Sequence, residues 1–94
     1  MKLVWSNIAK AELDSLRRFS TDRWGRDVAL RYLEDLRDGA KCVATDPRRA
    51  KPLKGPFYGF RVRSHYLVVR LNEADGTLTV ARILHVAMDI DRHL

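Results

Sequence analysis

The chain has 94 residues, 46% of them hydrophobic, which suffices for one buried core and is too short for two domains of ordinary size. Lys and Arg number 18 against 12 Asp and Glu, a formal charge of +6, so an acidic partner is favoured: nucleic acid, a ribosome, an acidic protein segment or an anionic membrane surface. No stretch approaches the roughly 18 uninterrupted apolar residues of a membrane span, and Met1-Lys2 gives way to polar residues too soon for a leader's apolar region. The expectation is one cytoplasmic domain over residues 1–94. A single cysteine excludes an internal disulfide and a thiolate cluster with zinc spacing, and Cys42 reads as a small core filler.

Lys2-Leu3-Val4-Trp5 is short, apolar and β-prone, and Ser6-Asn7 stop it with residues that cap helices. Ala9, Leu13, Leu16 and Phe19 then recur at helical spacing, with Lys10, Glu12, Asp14, Arg17 and Arg18 on the remaining arc. Gly25, after Trp24, is suited to the left-handed conformation that lets the chain turn into a second helix. There Ala29, Tyr32, Leu33, Leu36, Ala40 and Val43 form a continuous apolar stripe. On the other side Asp27 with Arg31, and Arg31 with Asp35, stand four apart and can pair. Asp46-Pro47 ends this helix.

Residues Arg48 to Gly59, with Pro52, Gly55, Pro56 and Gly59, predict a connector. The period then becomes two: Phe60 and Val62 alternate with Arg61 and Arg63, and Leu67, Val69 and Leu71 with Tyr66, Val68 and Arg70. Asp75-Gly76 makes a hairpin turn, and a last strand runs from Thr77 to about His85. On it Leu78, Val80, Arg82 and Leu84 share one side by strict alternation. The pattern predicts an α+β domain of order βααβββ, an antiparallel sheet with a helical hairpin on one face and the other face left for a partner.

Arg61, Arg63, Arg70 and Arg82 would make that face cationic, fit for an acidic helix or a phosphate backbone, unless it is simply solvated. Arg48, Arg49, Lys51 and Lys54 in the connector can add phosphate contacts, although charged loops are more often only solvated. His85, Asp89 and His93, four apart, would share one face of a C-terminal helix, but a terminal set without an evident supporting partner argues against a metal. No phosphate-binding glycine loop or nucleophile elbow is present, so no cofactor is expected. A metal-free ribonuclease would need a proton shuttle beside stabilising arginines, and His65, Tyr66, His85 and Glu73 are the candidates. His85 is the best of them, though fixing the strand's exit is its more ordinary role.

Several segments together carry a family likeness: Arg23-Trp24-Gly25, the Ala29, Tyr32, Leu36 stripe, Ser64-His65, and above all the run from Ala81-Arg82-Ile83-Leu84-His85 through Met88-Asp89 to Arg92-His93-Leu94. In these the chain resembles the ParE toxins of the ParE/RelE superfamily of type II toxin–antitoxin systems, over nearly its whole length. The resemblance implies a binding toxin rather than an enzyme, one that blocks DNA gyrase and traps the cleaved DNA complex. It also implies a ParD-like antitoxin whose C-terminal segment wraps the toxin and whose N-terminal part binds operator DNA, so that operator contact is indirect. Arg82, His85, Met88, Asp89 and Arg92 would engage the target, and Arg61, Arg63, Val68, Arg70 and Val80 the antitoxin. Val86 and Ala87 stand where the ParE subgroup that shares this C-terminal run is expected to be polar or basic. The alternative is a RelE-like ribosome-dependent mRNA endoribonuclease using Arg61, Arg63 and His85, against which stands the missing C-terminal Tyr of that branch. On this reading Arg82→Ala or His85→Ala lowers toxicity and leaves the fold largely intact, whereas Leu36→Asp destroys it.

Overall fold

Ser6 sets the first helix by two bonds: its hydroxyl accepts from Ala9 N (3.0 Å) and donates to Ala81 O (2.8 Å), so one side chain caps the helix and ties it to a distant strand. In the computed structural model, which describes residues 1–94, β1 (Lys2–Trp5) leads through Ser6 into α1 (Asn7–Trp24). Gly25, at φ 85°, reverses the chain into α2 (Arg26–Thr45). A short 3₁₀ turn (Pro47–Arg49) precedes β2 (Lys51–Pro52), β3 (Phe57–Val62), β4 (His65–Asn72) and β5 (Thr77–His85), and a second (Ile90–His93) follows them. The sheet order is β1-β5-β4-β3-β2.

Strands β2 to β5 are mutually antiparallel, as expected, but β1 joins β5 in parallel, making the sheet mixed. The helical hairpin carries the chain from β1 at one edge of the sheet to β2 at the other, and the antiparallel strands return to place β5 beside β1. The connector also holds more order than its composition suggests. Leu53 N donates to Phe57 O (2.8 Å), closing a turn that pairs β2 with β3, so β3 starts at Phe57 and not Phe60.

The core lies between the helices and one sheet face: Ala9, Leu33, Leu36, Ala40 and Val43 pack against Leu67, Val69, Leu78, Val80 and Ile83. Each large apolar side chain buried there contributes roughly 1.5–3 kcal/mol. The α2 stripe falls where its periodicity puts it. On α1 the buried line is Ala9, Leu13, Leu16 and Ser20, and Phe19 stands 54% exposed with its ring edge-on to Trp24. Cys42 is exposed, one position off the α2 stripe and so not a core filler. The two ion pairs expected along α2 do not form. Asp35 reaches across to Arg63 Nε instead (2.7 Å).

Candidate functional site

The decisive local feature is a bulge in β5. Val68 faces Arg82 but the next residue, Val69, faces Val80, so Ala81 is an unpaired extra residue. It reverses the alternation along the strand. Leu78 and Val80 point at the helices, and beyond the bulge Ile83 does too, while Arg82 and Leu84 fall on the other face. Strict alternation across the bulge therefore misplaced Val80: it is fully buried beneath the helices and touches no partner in the folded chain.

β1 pairs only with Thr77 to Val80 and ends, at the helix cap Ser6, where the bulge begins. The freed edge is taken over by α1. Ser6 N donates to Val80 O (3.0 Å), and Glu12 Oε1 accepts from Ile83 N (2.8 Å). Glu12 also accepts from Arg82 Nε (3.1 Å) and Nη2 (3.0 Å) through Oε2, and Arg82 Nη1 donates to His93 O (3.1 Å). Arg82 is thus compensated by an internal carboxylate and joins α1, β5 and the C-terminal segment. Its removal should cost stability, contrary to the expectation of an intact fold. Glu12 carries no sequence signal for this role, because it lies on the polar arc of α1.

The segment after β5 starts with Val86 N bonded to Ser64 O (2.9 Å), Ala87 N bonded to His85 Nδ1 (3.0 Å) and Met88 N bonded to His85 O (2.9 Å). His85 thus fixes the strand's exit through its ring nitrogen. Beyond it Met88 is exposed, and Asp89 and Arg92 form a solvent-facing pair at 3.3 Å. A pair so exposed adds little to stability. His85 ends a strand and His93 lies in a 3₁₀ turn, so the helix that would have aligned His85, Asp89 and His93 does not form.

Three of the four expected cationic strand residues occupy the helix-free face. By register, Lys51 lies beside Gly59, Arg61 beside Tyr66, Phe57 beside Arg70, and Val68 beside Arg82. Arg61 and Arg70 are exposed and have no acidic partner; Arg61 Nε donates to Arg63 O (2.8 Å). Arg63 is displaced from this face. It occupies the β3–β4 turn at φ 52°, pairs with Asp35 and lies 5.4 Å from the centre of the Tyr32 ring. Val68 and Leu84 are buried although they face away from the helices. His93 and Leu94 line one cavity with Phe57, Arg70, Thr79 and Ala81, so the C-terminal segment returns over this side.

At the opposite rim Tyr32 Oη lies 2.6 Å from His65 Nδ1 and accepts from Ser64 N (3.2 Å). His65 and His85 are cross-strand partners with rings edge-to-face at 5.1 Å. Burial, and secondarily the neighbouring His85, hold the His65 imidazole below the ordinary histidine value, which favours the neutral ring beside the Tyr32 hydroxyl. Tyr32 reads as a stripe residue in the sequence. Its bond to a residue 33 positions away was not legible there.

The chain thus folds as a helical hairpin on one face of a mixed sheet, with Arg61 and Arg70 exposed on the other. The chain superposes on a protein of the chromosomal ParDE toxin–antitoxin system from P. aeruginosa with a TM-score of 0.81, at 20% identity, covering 92% of this chain and 96% of that one. It also matches the toxin–antitoxin complex RelBE2 from Mycobacterium tuberculosis (TM-score 0.69, 19% identity, 89% and 95% covered) and a YoeB/ParE toxin from Agrobacterium tumefaciens (0.67, 22%, 90% and 98%). At these identities the likeness establishes the fold. The family follows from sequence: residues 3–90 match the ParE toxin of type II toxin–antitoxin systems, parDE, and the chain belongs to that family. Toxin ParE1 of Mycobacterium tuberculosis is 36% identical over 96 residues, covering 99% of this chain and 97% of the relative. Toxin ParE1 of Caulobacter vibrioides is 29% identical over 92 residues, covering 95% and 93%.

Proposed function

We propose that the protein acts in the cytoplasm as a toxin that inhibits DNA gyrase and is neutralised by a ParD-like antitoxin. The observation that carries this reading is the family match over residues 3–90, which spans the whole fold and the start of the C-terminal segment. The named relatives and the ParDE structural neighbour are consistent with it. His85, Met88, Asp89 and Arg92 supply target contacts from an exposed segment, and Arg82 acts by holding that segment in place. Arg61 and Arg70 offer the antitoxin two uncompensated cations beside Phe57, suited to an amphipathic acidic segment. Arg63 is engaged by Asp35, and Val68 and Val80 are buried, which speaks against these three as antitoxin contacts. Operator DNA is reached through the antitoxin.

The ribonuclease alternative needs Arg61, Arg63 and His85 around one phosphate. Arg61 and His85 fall on opposite faces by register, which favours the binding toxin. Induction in cells carrying a DNA-damage reporter, with an mRNA-cleavage readout in parallel, tests the choice. Gyrase inhibition predicts a reporter response with intact mRNA, suppressed by a drug-resistant or otherwise insensitive gyrase. Cleaved mRNA with a silent reporter would overturn it.

A further inference from the structure

We propose that the helix-free sheet face binds duplex DNA directly through the phosphate backbone, by a strip formed from Lys51, Lys54, Arg61 and Arg70. The inference rests on the gyrase reading for its setting, since a protein that traps a cleaved DNA complex works against DNA. The contact itself is argued from the strip.

All four side chains are exposed, and none has an acidic partner, whereas Arg48, Arg49, Arg63 and Arg82 are each paired with a carboxylate. Register puts Lys51 beside Gly59, midway between Phe57 and Arg61 on the same face, and Arg70 beside Phe57. Lys54 lies in the turn that feeds Phe57. Arg61 and Arg70 are separated by four residues' rise along the strands, since Arg61 faces Tyr66, so the strip spans about 13 Å. Duplex DNA offers one negative charge per about 1.7 Å of axis, enough for every cation to find a phosphate.

Between the cations the surface is low. A Cβ on Gly59 would meet Leu53 Cδ1 at 2.9 Å, so Leu53 lies down over the glycine and nothing at that position projects. Phe57 and Tyr66, the aromatic residues of the strip, are half-buried. Single strands are held by bases stacked on projecting rings, and this face presents no such platform. A regular phosphate backbone is what a row of point charges and guanidinium groups can hold. Glu73 and Asp75 in the β4–β5 turn line the cavity at the Arg70 end, together with His93 and Leu94. Asp75 is occupied by Asn72 and Thr77. The two acids limit the strip at that end and leave the Lys51–Arg61 end open.

The test is fluorescence anisotropy of a labelled duplex of random sequence with the full chain over a salt series. Four phosphate contacts give a log–log slope of about −3.6, a loss of about 150-fold in affinity between 50 and 200 mM salt. Lys51→Gln, Lys54→Gln, Arg61→Gln and Arg70→Gln should each reduce the slope by about 0.9, and Arg37→Gln on the outer surface of α2 should leave it unchanged. No binding at 50 mM salt, or slopes that ignore the strip substitutions, would overturn the proposal. Tighter binding to single-stranded RNA of equal length would overturn it in favour of an RNA face. The assay contains no topoisomerase, so its failure is distinct from a silent DNA-damage reporter.

Discussion

Whether Arg82 touches the target or holds the segment that does can be decided by perturbing its partner. Glu12→Ala removes the carboxylate that binds Arg82 Nε and Nη2 and leaves Ile83 N–H without its acceptor. Charge-assisted bonds contribute about 1.5–3 kcal/mol and an unsatisfied buried N–H costs about 1–3 kcal/mol. The two side chains are 27% and 22% exposed, so solvent screening reduces the first figure. We expect Glu12→Ala to cost about 2–3 kcal/mol and Glu12→Gln about 1, because the amide oxygen still accepts from Ile83 N. Urea unfolding of Glu12→Ala, Arg82→Ala and the double variant should give a coupling of about 1–2 kcal/mol. Additivity within about 0.5 kcal/mol would refute the pairing. Growth arrest then separates the roles: if Arg82 positions the segment, Glu12→Ala loses toxicity beside Arg82→Ala. Full toxicity in a folded Glu12→Ala, with loss in Arg82→Ala, would make Arg82 a direct contact.

Other expectations follow from burial and protonation. Leu36 is fully buried at the centre of the core, so Leu36→Ala should cost about 2–5 kcal/mol in urea unfolding and Leu36→Asp should leave no cooperative transition. Gly39→Ala places a Cβ 2.5 Å from Val62 Cγ2, and the helix or strand must shift; a loss of about 1–3 kcal/mol is expected, recovered in part by pairing it with Val62→Ala. The His65 value is depressed in the fold, so the unfolded chain binds the proton more readily. Stability is complete above the ordinary histidine value near 6.5 and falls as pH drops from there through the folded value. Melting temperature against pH should show this slope, and His65→Gln should flatten it.

The elements were readable where one local signal dominates. Ser6 before a helical period, Gly25 between helices, Asp46-Pro47 at a helix end and Asp75-Gly76 in a hairpin each act through their own backbone chemistry. The parallel placement of β1 was not readable, because Lys2 to Trp5 carry no mark of which neighbour they pair with. Partner choice among charges was equally hidden. Asp35 had a good helical neighbour in Arg31, yet the turn residue Arg63 comes closer in space, and exposed helical pairs contribute too little to prevent it.

The largest error, placing Val80 beside Arg82, has a single cause in the inserted residue Ala81. A bulge costs a ladder position and leaves no compositional trace, yet it exchanges the two faces for every residue that follows. Were Ala81 paired in a regular ladder, Arg82 would point into the core with Leu78 and Val80, where an arginine is costly to bury. With Ala81 unpaired, Arg82 reaches the sheet edge, meets Glu12 and carries the C-terminal segment. Deleting Ala81 therefore removes the extra residue without exchanging the faces: Arg82 would follow Val80 directly and still meet Val68, and Ile83 would still meet Leu67 in an unbroken ladder, while Ser6 Oγ would lose its acceptor on Ala81. A folded Ala81 deletion should accordingly retain the Glu12–Arg82 coupling, and loss of that coupling would show that the number of residues between Val80 and Arg82 is not what sets this face.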